Sequence, residues 1–394
     1  MSCHQKQILI YLDKNLLAPI GGPIGYNYNL YKQLKEKDVN NIHYIESGRE
    51  NIEKWKNKVS SIKNDNLRKA ATVLKKVYKH GYLLYGGKHN AVVDLNQYDI
   101  VHFHSTLDMY SCRDSLRDYK GTVVLTSHSP TLLSKEIYDG ASFFEKYICA
   151  FIYKNLIKLD EYSFNRADVI IFPCPEAEEP YEHAWGKFKA FKQENKDKFK
   201  YLLTGIDKCS AKVSRDVIRE KYHIPKNAFL VCFVGRHNQI KGYDRLKQIA
   251  KEILEKNDDI YFIIAGREKP LTGLSSDHWI EVGWTKDPHS IISASDIFIL
   301  PNRETYFDLV LLEVMSLGKI IVASNTGGNK YFKDSPSSIM LFNNEQECID
   351  KILELKMMSK DQLEELEKES IKCFEKYFTS EIFCDNYINL INSL

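Results

Sequence analysis

Two groups of residues have the types and spacing to do chemistry. The first is Val234-Gly235-Arg236-His237-Asn238-Gln239-Ile240-Lys241-Gly242, which follows the apolar run FLVCFV. Two cations, Arg236 and Lys241, stand five residues apart on one loop and can converge on a diphosphate, while the next helix offers its N-terminal amides and positive dipole end. The second group runs from Asn302 through Arg303, Glu304, Thr305, Tyr306, Phe307, Asp308 and Leu309 to Glu313, after the apolar run DIFILP. It leads into a helix whose Leu309, Leu312 and Met315 are expected to face the core, leaving Glu313 free near the helix start. A carboxylate there can accept two ribose hydroxyls at once, and the open amides of the first turn can face phosphate or sugar hydroxyls. Taken singly, each group also reads as solvated surface charge.

The elements that must position these groups form two series. QILIYLD, a Gly-rich loop at Gly21-Gly22-Pro23-Ile24-Gly25 and a helix through Tyr28 to Lys35 open the first, which continues with DIVHFH, TVVLTSHS and ADVIIFPCP. The second opens with FLVCFVG near residue 228 and continues with YFIIAG, WIEVGW, DIFILP and KIIVAS. Short apolar runs alternating with helices predict an α/β fold of parallel, doubly wound sheets. Two series predict two Rossmann-like domains, residues 1–208 and 209–379, with a last helix over 380–394 free to pack on either. Each active loop then lies at the carboxyl edge of a sheet, where ligands bind in such folds.

The totals narrow the class. At 394 residues the chain exceeds one compact core. Its net charge of +2 excludes the basic excess expected of a nucleic-acid binder. The 24 Tyr and 19 Phe supply rings for stacking on sugars and bases. Nine cysteines, odd in number and without a Cys-x-x-Cys pair, predict reduced thiols and neither disulfides nor zinc. The short apolar run Ile8 to Leu12 reads as a buried strand and not a signal peptide, and no stretch has the ~18 apolar residues of a spanning helix. A cytoplasmic protein is expected, with any membrane contact peripheral.

Lys54 to Lys88 fits neither series. It carries ten lysines and arginines and a single acid, Asp65, with Val59, Ile62, Leu67, Ala70, Val73, Leu74, Val77 and Tyr78 near helical spacing. It reads either as a basic amphipathic helix on an anionic membrane surface at the inner face of the plasma membrane or as a helix covering the first sheet with a solvated lysine face.

In order and spacing, the two reactive groups resemble the retaining glycosyltransferases of family 4, which have the GT-B fold of two Rossmann-like domains facing a cleft. FVGRHNQIKG resembles that family's strand, Gly-Arg loop and Lys-Gly element. YFIIAG resembles the strand whose glycine, here Gly266, lines the nucleoside, and IEVGW, with Gly283, the base-contacting loop. The block from ASDIFILP through YFDLVLLEVMSLGKIIVASNTGG resembles the C-terminal signature. The match in the first domain is thinner: Gly22, His128 in TSHSP, ADVIIFPCP, and Thr204-Gly205-Ile206-Asp207 in place of Asn-Gly-Ile-Asp. The resemblance implies phosphate contacts from Gly235, Arg236 and Lys241, ribose contacts from Glu313, and a place for His128 near the donor sugar's C6 hydroxyl; His104 can also reach the cleft, whereas His102 is expected to be buried. Phe307, Asp308 and Leu309 fall in the donor-binding block.

The family pairs two glutamates with seven residues between them. Here the second falls on Glu313, but the first position holds Thr305; Glu304 lies one residue earlier, and Asp308 replaces a small residue. Thr305, Glu304 or Asp308 is left to supply the missing acceptor for sugar hydroxyls. No Asp-x-Asp triplet occurs, so the leaving diphosphate is expected to be neutralised by Arg236, Lys241 and helix amides, without metal or cofactor. The implied reaction is sugar transfer with retention from a nucleotide-sugar donor, guessed as UDP-linked, to a glycan, glycolipid or protein-linked acceptor in cell-surface polysaccharide synthesis, in a cleft that closes on the donor. Such a route needs no enzyme nucleophile, because the leaving phosphate oxygen takes the acceptor's proton. Two rival readings stay open: a nucleotide-sugar epimerase of the same fold, and a catalytically weak binding partner of a true transferase.

Overall fold

The computed structural model describes residues 5–19, 22–46, 65–334 and 338–394. The first sheet comprises β1 (Ile8–Asp13), β2 (Ile42–Ile45), β3 (Ile100–Phe103), β4 (Thr122–Leu125), β5 (Val169–Phe172) and β6 (Phe199–Tyr201), in the order β2-β1-β3-β4-β5-β6. The second comprises β7 (Phe229–Val234), β8 (Ile260–Ala265), β9 (Trp279–Gly283), β10 (Ile297–Leu300), β11 (Ile320–Ser324) and β12 (Ile339–Phe342), in the order β12-β11-β10-β7-β8-β9. Every strand pair is parallel. Helices cover both faces of each sheet, so the strands are unbroken apolar runs without polar alternation. In β7, Leu230, Val231, Cys232 and Phe233 are all at most 1% exposed.

The chain crosses between the sheets twice, and the two crossings lie side by side. Ile206 N–H donates to the Phe378 carbonyl and Ser380 N–H to the Ile206 carbonyl, each at 2.9 Å. The last helix, Ser380–Asn392, then packs on the first sheet. Its Phe383, Cys384, Tyr387 and Ile391 share a core with Ile8, Ile10 and the Tyr26, Leu30 and Leu34 of helix Pro23–Glu36. Tyr306 is a second tie. It belongs to a loop of the second sheet, yet its ring packs against Phe172 and Tyr181 and its hydroxyl donates to the Ile171 carbonyl at 3.3 Å.

Of the basic segment, Lys54 to Asn64 lie outside the described residues. Asp65–Tyr85 is a 21-residue helix. Its Leu74 and Tyr78 stand 69% and 73% exposed, and on the helices Phe143–Ile148 and Ala150–Asn155 the residues Phe143, Tyr147 and Phe151 are 85%, 79% and 68% exposed. Tyr85 stacks on Phe151 at 5.3 Å, and Lys76 reaches Glu145 at 3.5 Å. The exposed side of helix Asp65–Tyr85 thus carries apolar rings as well as lysines.

Candidate nucleotide-sugar site

Strand order reverses between β1 and β3 in the first sheet and between β7 and β10 in the second. At such a reversal the adjacent loops leave in opposite directions and open a crevice at the carboxyl ends of the strands. The two crevices face each other across a cavity of about 690 Å³. Gly22, His104 and His128 line it from the first sheet, with Gly235, Arg236, Lys241, Glu304, Thr305, Phe307, Asp308, Leu309 and Glu313 from the second. Gly266 and Gly283 do not line this cavity. They end β8 and β9, joined by a 2.9 Å hydrogen bond from Gly266 N–H to the Gly283 carbonyl.

The cationic half depends on two loops meeting closely. Gly242 caps helix Tyr243–Leu254 in the left-handed region at φ 67°, and a Cβ there would lie 1.7 Å from the Pro301 carbonyl oxygen. Only glycine allows that approach. It sets Lys241 beside Asp308, whose carboxylate accepts from the Lys241 Nζ at 2.5 and 2.7 Å and from Asn302 Nδ2 at 2.5 Å. Arg236, by contrast, is exposed at the cavity wall.

Helix Leu309–Ser316 starts at Asp308, but the Asp308 side chain is turned to Lys241 and does not cap the helix. Leu312 and Met315 are buried in the core as their spacing predicts. Leu309 is half-buried: it packs against the same core, as expected, and also lines the cavity. Glu313 is not an isolated carboxylate. His289 Nε2 lies 3.5 Å from its Oε2. Hydrogen bonds to Cys209 and to Glu313 raise the His289 pKa to about 10, so an imidazolium stands beside Glu313 at neutral pH.

The turn at Glu304 and Thr305 holds two unpaired buried oxygens. Glu304 Oε1 lies 3.1 Å from His183 Nδ1 on the first domain, while Glu304 Oε2 and Thr305 Oγ1 are buried without a hydrogen-bond partner. Gly327 and Gly328 fit beneath this turn: Cβ atoms there would lie 1.9 Å from the Thr305 carbonyl oxygen and 2.1 Å from that of Tyr306. The Thr-Gly-Gly loop therefore acts as a shelf for the turn.

On the opposite wall, His128 adopts a left-handed backbone at φ 57°, a conformation that costs a non-glycine residue energy and persists where packing over-determines it. Its Nε2 shares a 2.7 Å hydrogen bond with His104 Nδ1. Behind them, buried His102 bonds to the Tyr387 hydroxyl at 3.0 Å and to Thr126 Oγ1 at 2.9 Å. Burial lowers the pKa of His128 and of His102 to about 3 and that of His104 well below the ordinary value, so all three rings are neutral at pH 7. Tyr26, Glu136, Thr204 and Tyr306 also line the cavity. The sequence does not mark Tyr26, Glu136 or His289: Asp287-Pro288 signals a helix start, but nothing local signals contact with Glu313.

Residues 228–357 match the family model described as glycosyl transferases group 1. That match lies within the second domain and covers about a third of the chain. The chain is 28% identical over 146 residues to UDP-Gal:alpha-D-GlcNAc-diphosphoundecaprenol alpha-1,3-galactosyltransferase of Escherichia coli, covering 34% of this chain and 38% of that protein. It is 27% identical over 184 residues to the O-antigen biosynthesis glycosyltransferase WclY of Escherichia coli, covering 45% of this chain and 50% of the relative. The match therefore spans half or less of these curated relatives. Among solved structures, HepE of Anabaena, in complex with UDP and glucose, superposes with a TM-score of 0.60 at 14% identity over 99% of this chain and 100% of that one. WaaG, a glycosyltransferase involved in lipopolysaccharide biosynthesis, superposes at 0.55 and 12% identity, over 97% and 98% of the two chains. The fold is GT-B.

Proposed function

We propose that the chain transfers a sugar, with retention, from a UDP-linked donor to a glycan, glycolipid or protein-linked acceptor in cell-surface polysaccharide synthesis. One observation carries the reading. Arg236, Lys241, Glu313 and the start of helix Leu309–Ser316 converge on one wall of a cavity whose other wall presents His128. Cations and helix amides suit a diphosphate, the carboxylate suits ribose hydroxyls, and the neutral imidazole suits a sugar hydroxyl. The relative acting on UDP-Gal supports the donor class.

In this reading the second domain holds the nucleotide and the first domain receives the acceptor. Arg236 and Lys241 stabilise charge developing on the leaving diphosphate, whose oxygen takes the acceptor's proton as the acceptor attacks from the same face. No metal or cofactor takes part. The cleft closes on the donor, and a small-angle scattering profile that is unchanged by UDP would count against closure.

The acceptor side is proposed to meet an anionic membrane surface through the basic segment. Its lysines draw the protein to acidic headgroups, and the exposed Leu74, Tyr78, Phe143, Tyr147 and Phe151 enter the interface. Among the described residues no helix is long and apolar enough to cross a membrane.

Release of nucleoside diphosphate from a panel of nucleotide-sugars, with and without acceptor, tests the assignment. Acceptor-dependent UDP release supports transfer; conversion of the sugar without acceptor would make the chain an epimerase, and binding without turnover a partner subunit. Arg236→Ala should lower turnover about a hundredfold, as loss of one preorganised donor to developing charge does elsewhere. Full turnover in both Arg236→Ala and Glu313→Gln would sink the site assignment.

A further inference from the structure

We infer that Asp308 makes the site favour the intact nucleotide-sugar over the nucleoside diphosphate left after transfer; this rests on the nucleotide-site reading above. Asp308 places a carboxylate in the wall of the cavity. It begins helix Leu309–Ser316 without capping it, and Lys241 Nζ and Asn302 Nδ2 hold both its oxygens. The carboxylate is only 18% exposed and the lysine 22%, so the pair is shielded from most solvent screening. A negative charge is thus fixed on the lysine that the donor's diphosphate must reach.

The two ligands respond to that charge in opposite ways. In a nucleotide-sugar the terminal phosphate is esterified and carries one charge, and the attached sugar brings hydroxyls that donate to a carboxylate. In the free diphosphate the same phosphate is a terminal group approaching two charges and offers no donor. A fixed carboxylate at this position therefore accepts hydroxyls from the donor sugar and repels the extra charge of the product. It also competes with the product for Lys241, and returns to the lysine as the product leaves. Glu304 is tied to His183 of the first domain, whereas Asp308 is tied to the lysine that the diphosphate must reach. Thr305 Oγ1 carries no charge. The Asp308–Lys241 contact thereby works as a selectivity element for donor over product.

Calorimetric titration of the full chain with UDP, UDP-glucose and UDP-N-acetylglucosamine tests this in the wild type, in Asp308→Asn and in Asp308→Gly. Asparagine keeps the shape without the charge, and glycine removes the side chain, so misfolding of one variant leaves the other to report. The expected result is tighter UDP binding in both variants with unchanged or weaker donor binding. The ratio of UDP affinity to donor affinity should rise at least about tenfold, since a like-charge contact at ~4 Å is worth that much or more outside bulk water. Turnover by the variants should be inhibited by lower UDP concentrations. If both ligands shift by the same factor, or if UDP binding weakens, the selectivity role of Asp308 is wrong although the site stands. If the wild-type chain binds neither UDP nor a UDP-sugar, the nucleotide reading itself fails and takes this inference with it.

Discussion

His104 Nδ1 and His128 Nε2 share one hydrogen bond of 2.7 Å at the wall of the cleft. Both rings are neutral, so one nitrogen donates and the other accepts. The tautomer of His104 therefore decides which nitrogen of His128 carries its proton, and whether His128 offers the donor sugar a hydrogen-bond donor or an acceptor. His104 lies 4% exposed behind His128 and acts on the ligand through it. His104→Ala should lower kcat about tenfold, in the range of a lost positioned hydrogen bond, with little change in the donor KM. Nitrogen-15 spectra of the histidine rings should show His128 shifting from one tautomer to a mixture. An unchanged tautomer with lowered activity would make His104 merely structural.

The buried histidines also predict acid sensitivity. His102 has a pKa of about 3 in the folded chain because burial disfavours the charged ring, against about 6.5 when unfolded. Below pH 6.5 the unfolded state takes up a proton that the folded state refuses. Stability is therefore complete above pH 6.5 and declines as the pH falls from 6.5 towards 3. At pH 5 this one ring should cost about 2 kcal/mol. Urea unfolding midpoints at pH 7 and pH 5 check it: His102→Gln should narrow the gap between them, and an unaltered gap would refute the assignment.

Gly242→Ala is expected to damage both stability and binding. The added methyl would lie 1.7 Å from the Pro301 carbonyl at a left-handed φ, so the loops must part. A loss of about 2 kcal/mol or more is expected, in line with other strained backbone substitutions. Since parting the loops moves Lys241 from Asp308, UDP affinity should change too. Thermal unfolding and UDP titration of the same variant would show both effects; a wild-type melting temperature would mean the loops are not tightly opposed.

Vesicle cosedimentation probes the exposed ridge. The chain should pellet with vesicles rich in phosphatidylglycerol and much less with phosphatidylcholine alone. Added salt should weaken the binding, because the Debye length shrinks from ~10 Å at 0.1 M to ~3 Å at 1 M. Tyr78→Ser combined with Tyr147→Ser, both on exposed positions, should reduce binding without lowering thermal stability. Equal pelleting of this variant would exclude the aromatic ridge from the contact.

The sequence by itself determined the parts whose signals are local. Apolar runs such as FLVCFV and DIFILP are long enough, and uniform enough, to be strands buried on both faces. A loop following such a run must lie at a sheet edge, which is why Arg236, Lys241 and Glu313 could be singled out by type and spacing. Only the tertiary structure decided what those residues touch. Lys241 and Asp308 are 67 residues apart, and they meet because Gly242 lets its loop lie against Pro301. Glu313 gains His289 from helix Pro288–Ala294, and His128 gains His104 from the loop after the neighbouring strand β3. Strand order sets those pairings, and a parallel sheet built from crossovers leaves no local mark of which strands become neighbours. Tyr306 makes the same point across the cleft: it reads as part of a loop in the second series, yet it packs in the core of the first domain. Residue type and spacing fix the chemistry available to this chain, whereas the approach of distant backbones fixes which charges oppose one another.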